Sequence, residues 1–179
     1  MKCVPQSIEG LFLITPDVFE DDRGSFRRNF CANELWVLGI EMVVCQGNIS
    51  ENTQAYTMRG FHFQKNPSRE SKLLTPVSGG IFNVVIDLRP SSDTFLKYVP
   101  LEVNASGRQS VLVPAGCANA FLTIEPNTVV QYYMGDFFKP ETYAGFRFDD
   151  PFFSIPWPYE PKVISERDAA FPAFSLDHL

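Results

Sequence analysis

The sequence predicts an all-β domain, a sandwich or barrel of short strands, and three observations support that. Seventeen Phe, fourteen Pro and eleven Gly stand among 179 residues. Such a composition suits apolar strands broken by tight turns and does not suit a helical bundle. Strand-forming runs recur at 11–14, 42–46, 56–64, 72–76, 80–88, 97–103, 110–113, 120–124 and 129–134, each bounded by Gly, Pro, Asn or Ser. Short strands at regular spacing, with turn residues between them, are the pattern of antiparallel sheets packed or closed on themselves. The length fits a single domain, residues 1–179, with a core of its own.

Taken in order, the strand at 11–14 is followed by a turn-rich acidic stretch at 17–24. Residues 33–38 (Asn-Glu-Leu-Trp-Val-Leu) form the best helix candidate, with Asn33 as N-cap and Gly39 as terminator. From 42 to 134 the pattern is β with little interruption. Beyond Phe146 the chain is rich in proline (Pro151, Pro156, Pro158, Pro161) and is expected to be ordered coil packed on the body. Ser165-Glu166-Arg167-Asp168 carries the signal of a helix start, so a second short helix is expected there.

Bulk properties exclude several function classes. Hydrophobic residues make up 45% and charged residues 20%, a globular balance. The net charge of −6 argues against general binding to nucleic acid or to anionic membrane. No apolar run approaches the ~20 residues of a membrane span, and Met1-Lys2-Cys3-Val4-Pro5 does not read as a signal peptide. The four Cys show no C-x-x-C spacing, which points to free thiols in a reducing cytoplasm. Only two His are present, and His178 is the penultimate residue. Catalytic zinc or iron sites usually take two or three imidazoles, so no metal is expected.

Several residues carry chemistry, although each also has an ordinary structural reading. Phe61-His62-Phe63 alternates, so in a strand His62 points away from its two phenylalanines. A lone strand His is most often a satisfied polar residue; a neutral imidazole inside a barrel can also act as a base near neutrality. Lys72 opens a strand beside Glu70, either as a solvated end or as a cation for an oxyanion. Tyr132 and Tyr133 fall on opposite faces of their strand, so one of them points inward. Asn119 follows a Pro-Ala-Gly turn and reads equally well as a turn residue. Arg23 and Arg59 each precede a glycine, a common pairing that also suits phosphate.

Together these residues resemble the dTDP-4-dehydrorhamnose 3,5-epimerase family over nearly the whole chain. The matches begin with Asp22-Arg23-Gly24-Ser25-Phe26, Gln46-Gly47-Asn48, Met58-Arg59-Gly60-Phe61-His62-Phe63-Gln64 and Lys72-Leu73. They continue through Val85-Ile86-Asp87-Leu88-Arg89-Pro90-Ser91-Ser92, Val113-Pro114-Ala115-Gly116 and Tyr132. Phe148-Asp149-Asp150-Pro151, Ile155-Pro156-Trp157-Pro158 and Ser165-Glu166-Arg167-Asp168 complete them.

The resemblance implies a cupin-type double-stranded β-helix, or jelly roll, with short peripheral helices, working as a cytoplasmic homodimer without metal or cofactor. The implied substrate is a nucleoside-diphosphate 4-keto-6-deoxy sugar, epimerised at carbon 3, carbon 5 or both, as a precursor for polysaccharide or a glycosylated metabolite. It implies His62 as base paired with Asp168, Tyr132 as acid, and Lys72 holding the enolate oxygen. Arg59 would bind the diphosphate and Arg23 would reach the partner subunit's site. Gln46, Asn48, Arg28, Asn119, Tyr143 and Arg167 complete the expected substrate-binding set. The last four depart from the family pattern: it usually has His at 119, Glu at 28 and 143, and Lys at 167. The rival readings are a 3,4-ketoisomerase of the same fold and a sugar-nucleotide binding module without catalysis.

Overall fold

The computed structural model describes residues 1–178. Its strands begin with β1 (Lys2–Pro5), β2 (Phe12–Thr15), β3 (Val18–Asp21), β4 (Gly24–Arg27), β5 (Gln46–Asn52), β6 (Met58–Gln64) and β7 (Lys72–Ser78). They continue with β8 (Gly80–Asp87), β9 (Tyr98–Asn104), β10 (Ser110–Val113), β11 (Cys117–Thr123), β12 (Thr128–Met134) and β13 (Tyr143–Gly145). Helices α1 (Ala32–Val37) and α2 (Glu166–Ala169) lie outside the sheets.

One sheet has six strands in the order β1-β2-β10-β7-β12-β5, and the other has five in the order β13-β6-β11-β8-β9. From β5 to β13 the chain steps between the two sheets at almost every connection, which makes the expected double-stranded β-helix. Both sheets are antiparallel, and β3 and β4 pair as a separate hairpin with Phe19 opposite Phe26.

Strand alternation sorts the apolar residues into three layers. Ile81, Val85 and Phe121 of one sheet meet Leu74, Val111 and Val130 of the other between the sheets. The outer face of the five-stranded sheet, with Phe61, Phe63, Val84 and Ile86, is covered by the proline-rich coil through Phe146, Phe153 and Trp157. The outer face of the six-stranded sheet is covered by α1 and the segment after it, through Leu35, Ile40 and Met42.

Several boundaries differ from the expectation. The run at 42–46 is not a strand: Met42 seals the outer face of the six-stranded sheet while Val43 is exposed, and the strand begins at Gln46. The acidic stretch at 17–24 is largely the β3–β4 hairpin. Cys31, not Asn33, is the N-cap of α1. Gly39 does end the helix: its φ is +76°, in the left-handed region that glycine adopts at little cost. Gly39 N–H donates to Trp36 O and Ile40 N–H to Leu35 O, with Leu35 and Ile40 packed together in the outer core. Asn119 lies within β11 and is not a turn residue.

Candidate active site

A cavity of about 250 Å³ opens between the sheets and is lined from both of them. That is slightly below the ~300–1,000 Å³ of sites for drug-sized ligands, so it suits one ring-sized group with the remainder of a larger ligand outside.

His62 enters this cavity because Phe61 and Phe63 are drawn into the outer core. Its Nε2 lies 2.8 Å from Asp168 Oδ1, a contact between side chains 106 residues apart. The C-terminal segment makes this possible by docking on the start of β6, where Met58 N–H donates to Val163 O and Lys162 N–H donates to Tyr56 O. Ser165 caps α2 by accepting from Asp168 N–H at 3.1 Å. The Asp168 carboxylate is directed to the site, where Oδ2 also accepts from Gly60 N–H at 3.1 Å. Gly60 has φ +108°, and a Cβ there would stand 2.6 Å from Asn119 O and 2.7 Å from the Cα of Ala120. Only glycine permits this approach of β6 to β11.

Asp168 is an acceptor, so a neutral His62 carries its proton on Nε2 and keeps the Nδ1 lone pair for a substrate. Burial lowers the His62 pKa from its ordinary 6.5; the Asp168 hydrogen bond and charge oppose this, and Lys72 and Arg167 add to it. Burial acts against the charge on Asp168, yet the bond to His62 and the other donors hold that carboxyl below its usual range. The pair is therefore a neutral imidazole oriented by a carboxylate, the protonation state of a general base.

Tyr132 faces the cavity from β12, in the opposite sheet, and packs against the inner core. Tyr133 faces outward, with its ring 5.7 Å from that of Phe30. Burial raises the Tyr132 pKa above 10, so its phenol keeps its proton at neutral pH. Lys72 reaches the cavity from β7 and pairs with Glu70 at 2.9 Å, the two side chains being 14% and 5% exposed. Gln64 Nε2 donates to the second Glu70 oxygen at 2.6 Å. Glu70 is thus a site residue that sequence reasoning passed over as a mere neighbour of Lys72; the signal was an acid two residues before the candidate cation.

Arg59 lines the cavity and is fixed by a 2.8 Å bond from Nε to Asn52 Oδ1. The Arg167 guanidinium lies 4.0 Å from the Tyr143 ring centre, and that ring is 5.4 Å from the His62 ring. Tyr143 and Arg167 therefore wall the base, and Phe138 stands edge-on to Tyr143 at 5.3 Å. Asn119 also lines the cavity, opposite His62 in the β6–β11 ladder.

Four expected binding residues lie outside this lining. Arg23 sits on the β3–β4 hairpin, paired with Asp21 and 90% exposed. Arg28 pairs with Glu34 at the start of α1. Gln46 accepts from Phe138 N–H through its side chain. Asn48 is opposite Tyr132 in the β5–β12 ladder, and its buried Nδ2 has no partner. Among the described residues no group of three His, Cys, Asp or Glu side chains is arranged to hold a metal ion.

The profile of the dTDP-4-dehydrorhamnose 3,5-epimerase family matches residues 5–175. The enzyme of that name from Methanothermobacter thermautotrophicus is 32% identical over 170 residues, covering 93% of this chain and 91% of its own. The crystal structure of the Bacillus anthracis enzyme, with TDP and PPi bound, superposes with a TM-score of 0.93 at 33% identity, covering 97% of this chain and 99% of that one. ChmJ from Streptomyces bikiniensis, a 3'-monoepimerase in complex with dTDP-quinovose, has a TM-score of 0.86 at 27% identity, covering 94% and 86%. The fold, the profile matched over residues 5–175 and relatives 32–33% identical across nearly the whole length place the chain: it belongs to the dTDP-4-dehydrorhamnose 3,5-epimerase family.

Proposed function

We propose that the protein inverts carbon 3, carbon 5 or both of a nucleoside-diphosphate 4-keto-6-deoxy sugar by proton removal and return. The observation that carries this reading is the His62–Asp168 pair and Tyr132 on opposite sheets of one cavity, with Lys72 of β7 lining the same cavity. A proton beside a ketone becomes removable when the developing enolate oxygen is held by a cation, which is the part of Lys72. His62 Nδ1 takes the proton from one face of the ring while Asp168 stabilises the imidazolium. The Tyr132 phenol returns a proton to the other face, and the carbon is inverted. A binding module has no use for proton carriers on opposite walls.

Arg59, at the cavity edge, is the group for the diphosphate, whose planar two-pronged pairing suits phosphate oxygens. TDP and dTDP-quinovose in the two related structures support a thymidine nucleotide. A homodimer is supported by the β3–β4 hairpin, which projects Phe19 and Phe26 at 67% and 66% exposure and bears the exposed Arg23. The free edge of β5, where Ile49 is 68% exposed, is a second surface for it. A cytoplasmic location fits the free thiols of Cys3, Cys31, Cys45 and Cys117; no helix among the described residues is long and apolar enough to cross a membrane.

Product analysis by NMR after incubation with dTDP-4-keto-6-deoxyglucose tests the reading. Inversion at carbon 3 or 5 is expected. Movement of the carbonyl to carbon 3 would instead identify a ketoisomerase.

A further inference from the structure

Asn119 and His62 face each other across neighbouring antiparallel strands. Side chains so placed leave the sheet on one face with Cβ atoms ~4.5–5.5 Å apart. Asn119 therefore stands beside the base, lining the cavity. The orientation of its amide is fixed: Nδ2 donates to Asn83 Oδ1 at 2.7 Å and to Val84 O at 3.2 Å. A main-chain carbonyl can only accept, so the amino end must face Val84. The Asn119 carbonyl oxygen is left on the other side of the amide, with no donor among the described residues.

Asn83 and the Val84 carbonyl together turn the amide this way. Asn83 is wholly buried on β8, does not line the cavity, and its own Nδ2 has no partner. A buried donor without a partner weakens a fold, and the neighbours of Asn83 are Phe82 and Val84 in a run that is apolar from Ile81 to Ile86 apart from Asn83 itself. Of the three buried side-chain amides without a partner among the described residues, at Asn29, Asn48 and Asn83, that of Asn83 is the one bonded to Asn119.

Building on the reading of this cavity as a 4-keto sugar site, we propose that Asn83 and Asn119 form a neutral amide pair that presents an acceptor beside His62. That acceptor, Asn119 Oδ1, selects sugars with a hydroxyl on the carbon from which His62 removes the proton. Two carbons flank the ketone of such a sugar. Carbon 3 carries a hydroxyl, whereas carbon 5 carries a methyl group and the ring oxygen, neither of which can donate. The pair thus marks carbon 3 as the favoured position for proton removal. Asn119 touches the substrate; Asn83 acts through it as a positioning residue. A charged donor at position 119 would favour an oxyanion, but this arrangement favours a hydroxyl.

The test is solvent deuterium incorporation at carbons 3 and 5, followed by NMR, with the nucleoside-diphosphate 4-keto-6-deoxy sugar and its 3-deoxy counterpart. The wild-type protein is expected to exchange carbon 3 faster than carbon 5 in the hydroxylated sugar. Its kcat/KM should fall about 10–100-fold with the 3-deoxy sugar, the range for an acceptor left unpaired. Asn119→Ala and Asn83→Leu should each bring the two sugars within about threefold of one another, since a lost bond no longer discriminates. Asn83→Asp, which keeps an oxygen for Asn119 Nδ2, should retain the preference, a rescue that a merely space-filling Asn83 would not require. Equal kcat/KM for both sugars in the wild type, or a preference that survives Asn119→Ala, overturns the proposal. Absence of exchange into either sugar at either carbon contradicts the epimerase reading itself, and the proposal falls with it.

Discussion

As the proposed base, His62 can act only while it is neutral, and burial favours that form. Because its pKa is lowered from 6.5, kcat/KM should be flat through neutrality and fall only as pH drops below 6.5. Asp168 opposes the lowering, so Asp168→Asn should move this acid limb to still lower pH. The same variant loses the carboxylate that holds Nε2–H and stabilises the imidazolium, and kcat/KM should fall by about 10²–10⁴-fold. A pH–rate profile of both proteins checks the two effects together; an acid limb above 6.5 in the wild type would remove His62 from the base role. Arg28 lies outside the cavity lining and pairs with Glu34. Asn119 and Tyr143 line the cavity and stand against His62.

At the scale of elements, β6 joins fold to function. Its alternation gives Phe61 and Phe63 to the outer core and His62 to the cavity, an arrangement legible in three consecutive residues. Its dependence on Gly60 was legible only as a family match, because the close approach to Asn119 and Ala120 involves residues 59 and 60 positions away in sequence. Gly60→Ala should cost ~2 kcal/mol or more through a positive φ and a backbone clash. In a chain of this length that lowers Tm by about 4–8 °C, measurable by calorimetry. The β5 strand was missed for a different reason. Its inward positions Asn48, Ser50 and Asn52 are polar and its outward Ile49 is exposed, because it edges a polar cavity, so hydrophobic alternation is inverted there. The preceding Met42-Val43-Val44 run imitated a strand, but Met42 serves a cover over the sheet. The Ser165 cap of α2, by contrast, was readable, as its hydroxyl-to-N–H bond is local in sequence.

At the scale of the whole molecule, the site is assembled by closure of the jelly roll: β6, β7, β11, β12, β13 and α2 all contribute to one cavity. Composition and spacing revealed the all-β class but not which residues meet, since the decisive contacts span 106 residues for His62–Asp168 and 36 for Asn83–Asn119. Asn83 lay in an apolar strand with no local signal. The hairpin bearing Phe19 and Phe26 is the surface proposed for a second subunit, and on that reading Phe19→Asp with Phe26→Asp should shift the protein from dimer to monomer. Sedimentation of that variant checks it; an unchanged mass would place the interface elsewhere. The central claim is that one base and one acid act from opposite walls. It is tested most directly by following deuterium from solvent into dTDP-4-keto-6-deoxyglucose with wild type, His62→Asn and Tyr132→Phe. The wild type should incorporate deuterium with inversion, Tyr132→Phe should exchange without net inversion, and His62→Asn should lose at least ~10²-fold of the exchange rate. Exchange at the wild-type rate in His62→Asn, or normal inversion in Tyr132→Phe, would contradict it.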